Sequence, residues 1–381
     1  DSTEPGLSLD FQRSFVQSLA GRNAVGLLGY GWASNWDISA ATDSSTGNVY
    51  IQQGQISRAF ALQSDGSYRA QNGDTGILTL SKGSYTLTDA NGTVTSFLSD
   101  GQLNYIQDSS GNHITAGYTG GSLSSLTHSN GDQMTLSYNA QGLVSQIDDP
   151  DGNVTNYTYD SHGQLIGVAG APGNYQYTYV NGQGASEEHA LASITNPDGT
   201  HKSFEYDPAG RLTRQSGDGG YSALTYSYLS PGGYTVTDAN GAMTTILLDD
   251  NGAPASVKDS LGNVFRVTYN ANGQPVLVSL PGGTASSITY NTNGAVASKV
   301  DPLGNTTQFT TDPQTGALQS LQDANGNTTS FSYTSRGLLS SILRADGSTS
   351  NYAYNAQGEI VQKCHGARQN RPARGASKPA S

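Results

Sequence analysis

From Phe97 onward, short runs of alternating apolar and polar residues end at turns rich in Gly, Asn and Asp. The stretch Tyr138 to Tyr159 shows the pattern. Leu143, Ser145 and Ile147, then Val154, Asn156 and Thr158, fall at period two, the spacing of a strand with one face turned inward. Asn139-Ala140-Gln141-Gly142 and Asp149-Pro150-Asp151-Gly152-Asn153 punctuate the runs. Glycine supplies the positive φ, and Asn or Asp the local side-chain bond, that tight hairpins need. Each unit therefore predicts two strands and two hairpin turns.

The unit recurs. Its anchors are Phe97, Tyr118, Tyr138, Tyr159, Tyr179, Tyr206, Tyr228, Leu248, Tyr269, Tyr290, Thr311, Tyr333 and Tyr354, spaced 20–22 residues apart except for a gap of 27 between Tyr179 and Tyr206. A period in this range marks an array built from one supersecondary unit. The chain is predicted to be all-β: one spiralling antiparallel sheet of hairpin repeats of about 21 residues. No helical periodicity persists after Asp37. Phe11 to Arg22 fits either a helix or a strand crossing the sheet. Tyrosines two apart (157 and 159; 175, 177 and 179; 226 and 228; 352 and 354) share a face and predict cross-strand ring ladders.

Composition narrows the function. The formal charge is −12 with 18 Lys and Arg, a poor match to a phosphate backbone, so nucleic acid is excluded as a partner. No apolar run is long enough for a membrane span. The single cysteine, Cys364, rules out an intrachain disulfide. Asp1-Ser2-Thr3-Glu4 does not read as a signal peptide, which fits a mature form or a fragment whose leader is gone.

The stretch Tyr206-Asp207-Pro208-Ala209-Gly210-Arg211-Leu212-Thr213 resembles the Tyr-Asp core of RHS/YD repeats. Tyr159-Asp160-Ser161-His162-Gly163-Gln164-Leu165 and Tyr-Asn versions at 138, 269 and 290 are similar. Arg13-Ser14-Phe15, followed by Gly26-Leu27-Leu28-Gly29-Tyr30-Gly31-Trp32, resembles the opening segment of RHS proteins. The resemblance covers roughly residues 5–363. It implies a hollow β-shell around a C-terminal toxin or enzyme cargo, as in Tc-toxin cocoons and teneurins, and a bacterial protein that is secreted or at the cell surface. The Asp-rich self-cleavage segment and the toxin domain of such proteins are not found in this sequence. The expectation is a truncated, open shell: residues 1–45 as an N-terminal plug, 46–363 as repeats, and 364–381 as a basic, disordered and non-native tail. An open shell also exposes a sheet edge, which favours edge-to-edge self-association.

A second reading is a carbohydrate-active protein, a glycan binder, hydrolase or lyase working on the concave tyrosine face. The long gap holds an insertion, 181–192, with Glu187, Glu188 and His189. Two carboxylates beside an imidazole suit general acid–base work and glycoside hydrolysis, so these three are the candidate catalytic residues. Tyr157, Tyr175, Tyr177, Tyr226 and Arg211 are the candidate glycan-binding residues. The bland readings are a solvated loop, structural ring ladders, and an arginine that braces a neighbouring unit. His113, His128 and His162 lie near turns, where solvation is the ordinary role. No His spacing suggests zinc, and no cofactor is expected. Asp89, Asp108, Asp238, Asp259, Asp301 and Asp323 open D-x-x-G turns and read as turn caps rather than a calcium column.

Overall fold

The computed structural model describes residues 6–71, 74–171, 173–182, 184–292, 294–313, 315–335, 337–355 and 360–366. Strands dominate it. Helix is confined, among the described residues, to one turn at Leu19–Arg22 and a 3₁₀ turn at Asp218–Gly220. The ambiguous stretch 11–22 resolves into both of its readings, a strand at Arg13–Phe15 and then that single helical turn.

The main sheet runs from Ile77–Ser81 to Ile360–Gly366, 28 strands in sequence order, each antiparallel to its chain neighbours. Its last strand pairs with Thr349–Tyr354, and its first with Ser84–Thr88. No register joins the first strand to the last among the described residues, so the sheet is open. The sheet winds back on itself. Residues around Tyr68 and Asp74, just ahead of its first strand, line a cavity together with Gln274, Gly294 and Pro313 from turns much later in the chain.

Residues 46–70, which the sequence reading placed among the repeats, lie elsewhere. Val49–Gln53, Ile56–Leu62 and Tyr68–Ala70 form a separate four-stranded sheet with Ile38–Thr42. Its own core holds Val49, Ile51 and Phe60 against Leu78, Leu87 and Phe97. Arg58 bridges the two sheets by pairing with Asp74 and Asp89, both at 2.6 Å. Cys364 to Gly366, expected at the start of a disordered tail, belong to the last strand. The rest of that tail, 367–381, lies outside the described residues.

The anchors mark a structural event. Twelve of the thirteen sit where the register of a strand pair shifts by one residue; Tyr228, which faces Tyr234 directly, is the exception. A bulge of this kind bends the strand and sharpens its twist, which is what a coiling sheet needs. The turns follow the expected chemistry. In the motif turn, the Asp207 carboxylate accepts from the backbone N–H groups of Ala209 and Arg211 at 3.0 and 2.9 Å. Asp108, Asp238, Asp259, Asp301 and Asp323 do the same in theirs.

The largest core lies under the first half of the sheet. There Leu28, Trp32 and Trp36 of the N-terminal segment pack against Leu103, Leu126, Leu136, Ile147, Leu165 and Leu191. Phe204 is the last hydrophobic residue in that core. Beyond it the same face carries Ile246, Val257, Val267, Val278, Ile288, Phe309, Leu321, Phe331 and Ile342, all only half-buried.

Candidate functional site: the seam between the N-terminal segment and the shell

The N-terminal segment runs along one rim of the sheet, touching successive repeat turns. Ala40 N donates to the Gly101 carbonyl at 2.8 Å, Val144 N to Leu27 at 3.0 Å, and Tyr30 N to Gly163 at 3.3 Å. Arg22 Nη1 donates to the Gly210 carbonyl at 2.8 Å. Glycine is required at two of these contacts. Gly101 has φ +87°, and a Cβ there would strike the Ala40 carbonyl; Gly210 has φ +75°, and a Cβ there would strike the Ser186 carbonyl.

Arg22 is the centre of this seam. It is fully buried, yet among the described residues no carboxylate pairs with it. Its guanidinium donates to the carbonyls of Gln17 at 3.1 Å, Gly210 at 2.8 Å and Ser186 at 2.7 Å, and lies 5.1 Å from the ring centre of Tyr206. Burial holds its pKa below the usual guanidinium value, with Tyr206 and then Glu187 acting in the opposite sense. A cation out of water is costly unless hydrogen-bonded, and these carbonyls provide the bonds.

The insertion supplies the other wall. Ser186 Oγ donates to the Pro208 carbonyl at 2.7 Å, tying the loop to the next turn. Glu187 is half-buried and Glu188 exposed. His189 is buried, with a left-handed φ of +59°. Its ring lies flat on Tyr30, centroids 3.9 Å apart and planes 3° from parallel. The buried Gln164 amide donates to His189 Nδ1 at 2.9 Å, which fixes the neutral ring with its proton on Nε2. Desolvation pushes the His189 pKa down, against Glu188 and Asp160, with His162 and Arg22 reinforcing the fall. Of the three residues read as a catalytic cluster, His189 packs onto the N-terminal segment, while Glu188 stays exposed. Tyr30 covers one face of the His189 ring and Gln164 engages its Nδ1. Residue 183 lies outside the described residues.

Three of the tyrosines read as a glycan platform, Tyr157, Tyr175 and Tyr177, pack against the N-terminal segment. Phe11 meets Tyr157 edge-on at 6.4 Å, Arg13 lies 5.1 Å over the Tyr175 ring and donates to the Tyr177 hydroxyl at 3.2 Å, and Trp32 leans on Tyr177 at 4.7 Å. Trp32 Nε1 donates to the Tyr179 hydroxyl at 2.8 Å. Tyr226, further along, sits 6.5 Å from Tyr234. Arg211 pairs with Asp207 at 2.7 Å and lies 4.2 Å over the Tyr228 ring of the following unit, the bracing role. Arg22, the residue on which the seam turns, was missed in the sequence. The unusual gap between Tyr179 and Tyr206 was the available signal, but a long loop does not say what it holds.

Comparison with known proteins fits this architecture. A teneurin YD-shell family model matches residues 231–370, and an RHS repeat model matches residues 138–174 and 186–222. The chain belongs to the RHS/YD-repeat family. Among solved structures, it is similar to the crystal structure of TcdB2-TccC3-TEV, at 14% identity and a TM-score of 0.52 over 88% of this chain and 21% of that one. The Photorhabdus luminescens Tc holotoxin pore matches at 12% identity and a TM-score of 0.48, over 88% of this chain and 23% of that one. The chain spans about a fifth of the length of these structures. No curated protein sequence matches it. The repeats build a sheet of the RHS/YD shell type, a structural element. No helix among the described residues is long and apolar enough to cross a membrane.

Proposed function

We propose that the chain is part of an RHS shell that encloses or presents a polypeptide cargo outside the cell, with its N-terminal segment closing one end. One observation carries this reading. The apolar face of the sheet is filled by the N-terminal segment over its first half, then continues unfilled from Ile246 to Ile342. Half-buried Val, Ile and Phe in a row on one face call for a covering layer. A loosely packed polypeptide with apolar side chains suits a face built from repeating rows, because such rows discriminate little between sequences. Similarity to toxin-complex structures supports the choice of a toxin or effector as that polypeptide. The outer edge of the last strand, paired on one side only, is also open to an added strand from a second copy.

The test is to append an unstructured reporter polypeptide behind the chain and measure its half-life under protease. A shell role predicts protection that disappears when the shell is unfolded with denaturant. A reporter digested as fast behind the folded shell as behind an unrelated domain would refute the enclosing role.

A further inference from the structure

His189 is a buried imidazole that the N-terminal segment covers. Its ring is sandwiched into the seam by Tyr30, which belongs to that segment, and takes a hydrogen bond from Gln164, which belongs to the shell. The groups around it are Tyr30, Gln164, Glu188, Asp160, His162 and the fully buried Arg22. The seam therefore already holds one buried guanidinium without a carboxylate partner, beside a ring that must stay neutral to accept from Gln164. Protonating the ring would replace the Nδ1 lone pair with an N–H aimed at the amide. It would also add a second positive charge to the same buried interface.

We propose that His189 makes the docking of the N-terminal segment acid-sensitive, so that mild acid releases the seal at this end while the sheet stays folded. The inference does not depend on the shell enclosing anything, since docking is read on the chain itself.

The linkage has a definite sign. In the undocked state the ring meets water and titrates near its ordinary value of about 6.5. In the docked state its pKa is lower, because burial disfavours the charged form. Undocking then takes up a proton. Docking is at full strength above about pH 6.5 and weakens as pH falls toward the docked value, by up to about tenfold per pH unit for one proton.

Both tryptophans of the chain, Trp32 and Trp36, lie in the docked segment and are buried, so their fluorescence reports docking directly. The experiment follows tryptophan emission, acrylamide quenching and far-ultraviolet circular dichroism from about pH 8 to pH 5, the range in which an ordinary imidazole changes charge. The wild-type chain is expected to show a red shift and increased quenching with its strand signal intact. His189→Gln, which keeps a neutral partner for Gln164, is expected to show neither. His128→Asn, at the chain's other buried histidine, is expected to behave as wild type. A wild-type signal flat down to pH 5 overturns the proposal, as does the same transition in His189→Gln, or loss of strand signal together with the tryptophan change. Should the glutamine variant not fold, ring NMR of the six histidines in the wild-type chain decides. One ring must titrate in step with the tryptophan change, and six titrations without it overturn the proposal.

Discussion

The Tyr138 hydroxyl donates to the Leu123 carbonyl at 2.6 Å, and Leu123 is the residue that faces the preceding anchor, Tyr118. The link repeats. Tyr159 reaches Val144, which faces Tyr138; Tyr179 reaches Leu165, which faces Tyr159; Tyr206 reaches Leu191, which faces Tyr179. It continues at Tyr269, Tyr290, Tyr333 and Tyr354. Each phenol thus caps the carbonyl at the bulge formed by the anchor before it. The rings make a relay along the sheet, and a bend is secured by the next unit wherever that unit's anchor is a tyrosine.

Removing one link should weaken the relay without creating a cavity. Tyr138→Phe is expected to cost about 1 kcal/mol, the usual net value of one hydrogen bond. Urea unfolding would show it as a lower midpoint at unchanged slope. Thr311 occupies an anchor position but is too short to reach the carbonyl of Val296, which faces Tyr290. Thr311→Tyr should raise the midpoint, by less than about 1 kcal/mol, since the bond from Asn291 to Thr311 Oγ1 is lost.

Equivalent turn glycines should differ in their tolerance. Gly142 has φ +77° and open space where a Cβ would sit, whereas Gly101 has φ +87° and the Ala40 carbonyl in that place. Gly142→Ala is expected to cost about 1 kcal/mol from backbone strain alone. Gly101→Ala adds a clash, and should also free Ala40 N from its bond. Comparative denaturation of the pair, with hydrogen exchange at Ala40, checks this; equal costs would contradict the rim contact.

Arg22→Met should loosen the N-terminal segment selectively. The carbonyls of Gln17, Gly210 and Ser186 lose their donor, and an unsatisfied buried carbonyl costs about 1–3 kcal/mol. Removing a buried cation offsets part of that. The expected readout is faster proteolysis within residues 6–36 and unchanged cleavage near the last strand. Uniform destabilisation along the chain would count against a localised clamp.

Alkali should dismantle the ring relay. Burial pushes the phenols of Tyr118, Tyr138, Tyr157 and Tyr206 up to about 12, and those of Tyr159 and Tyr179 up as well. A raised phenol pKa contributes stability that is complete below the unfolded value of about 10 and lost as pH climbs through the folded value. Cooperative loss of strand signal between about pH 10 and pH 12, together with a phenolate absorbance step, is the expected result. Phenolate absorbance rising near pH 10 with the fold intact would show the rings to be open to water.

The repeat was legible because each anchor does a local job. A tyrosine, its bulge and its turn glycine lie within one unit, so period and composition expose them together. The boundary of the shell was harder to read. Residues 46–70 alternate apolar and polar residues as the repeats do, and only the lack of anchors before Phe97 separates them. The seam was beyond local reading altogether. Arg22 meets Ser186 across 164 residues of sequence, and Tyr30 meets His189 across nearly as many. Glu187, Glu188 and His189 adjoin in sequence, but the sequence does not show that Tyr30 stacks on the buried His189 ring.

The contact between Arg22 and Gly210 also sets an order of events during synthesis. Arg22 leaves the ribosome almost two hundred residues before its acceptor exists. At about 5–20 residues per second, it waits on the order of ten seconds or longer. Until Leu103 to Leu136 have also emerged, Trp32 and Trp36 have no wall to lie against. The nascent chain therefore carries a sticky stretch, and a chaperone that shields Trp32 and Trp36 would act before the wall can.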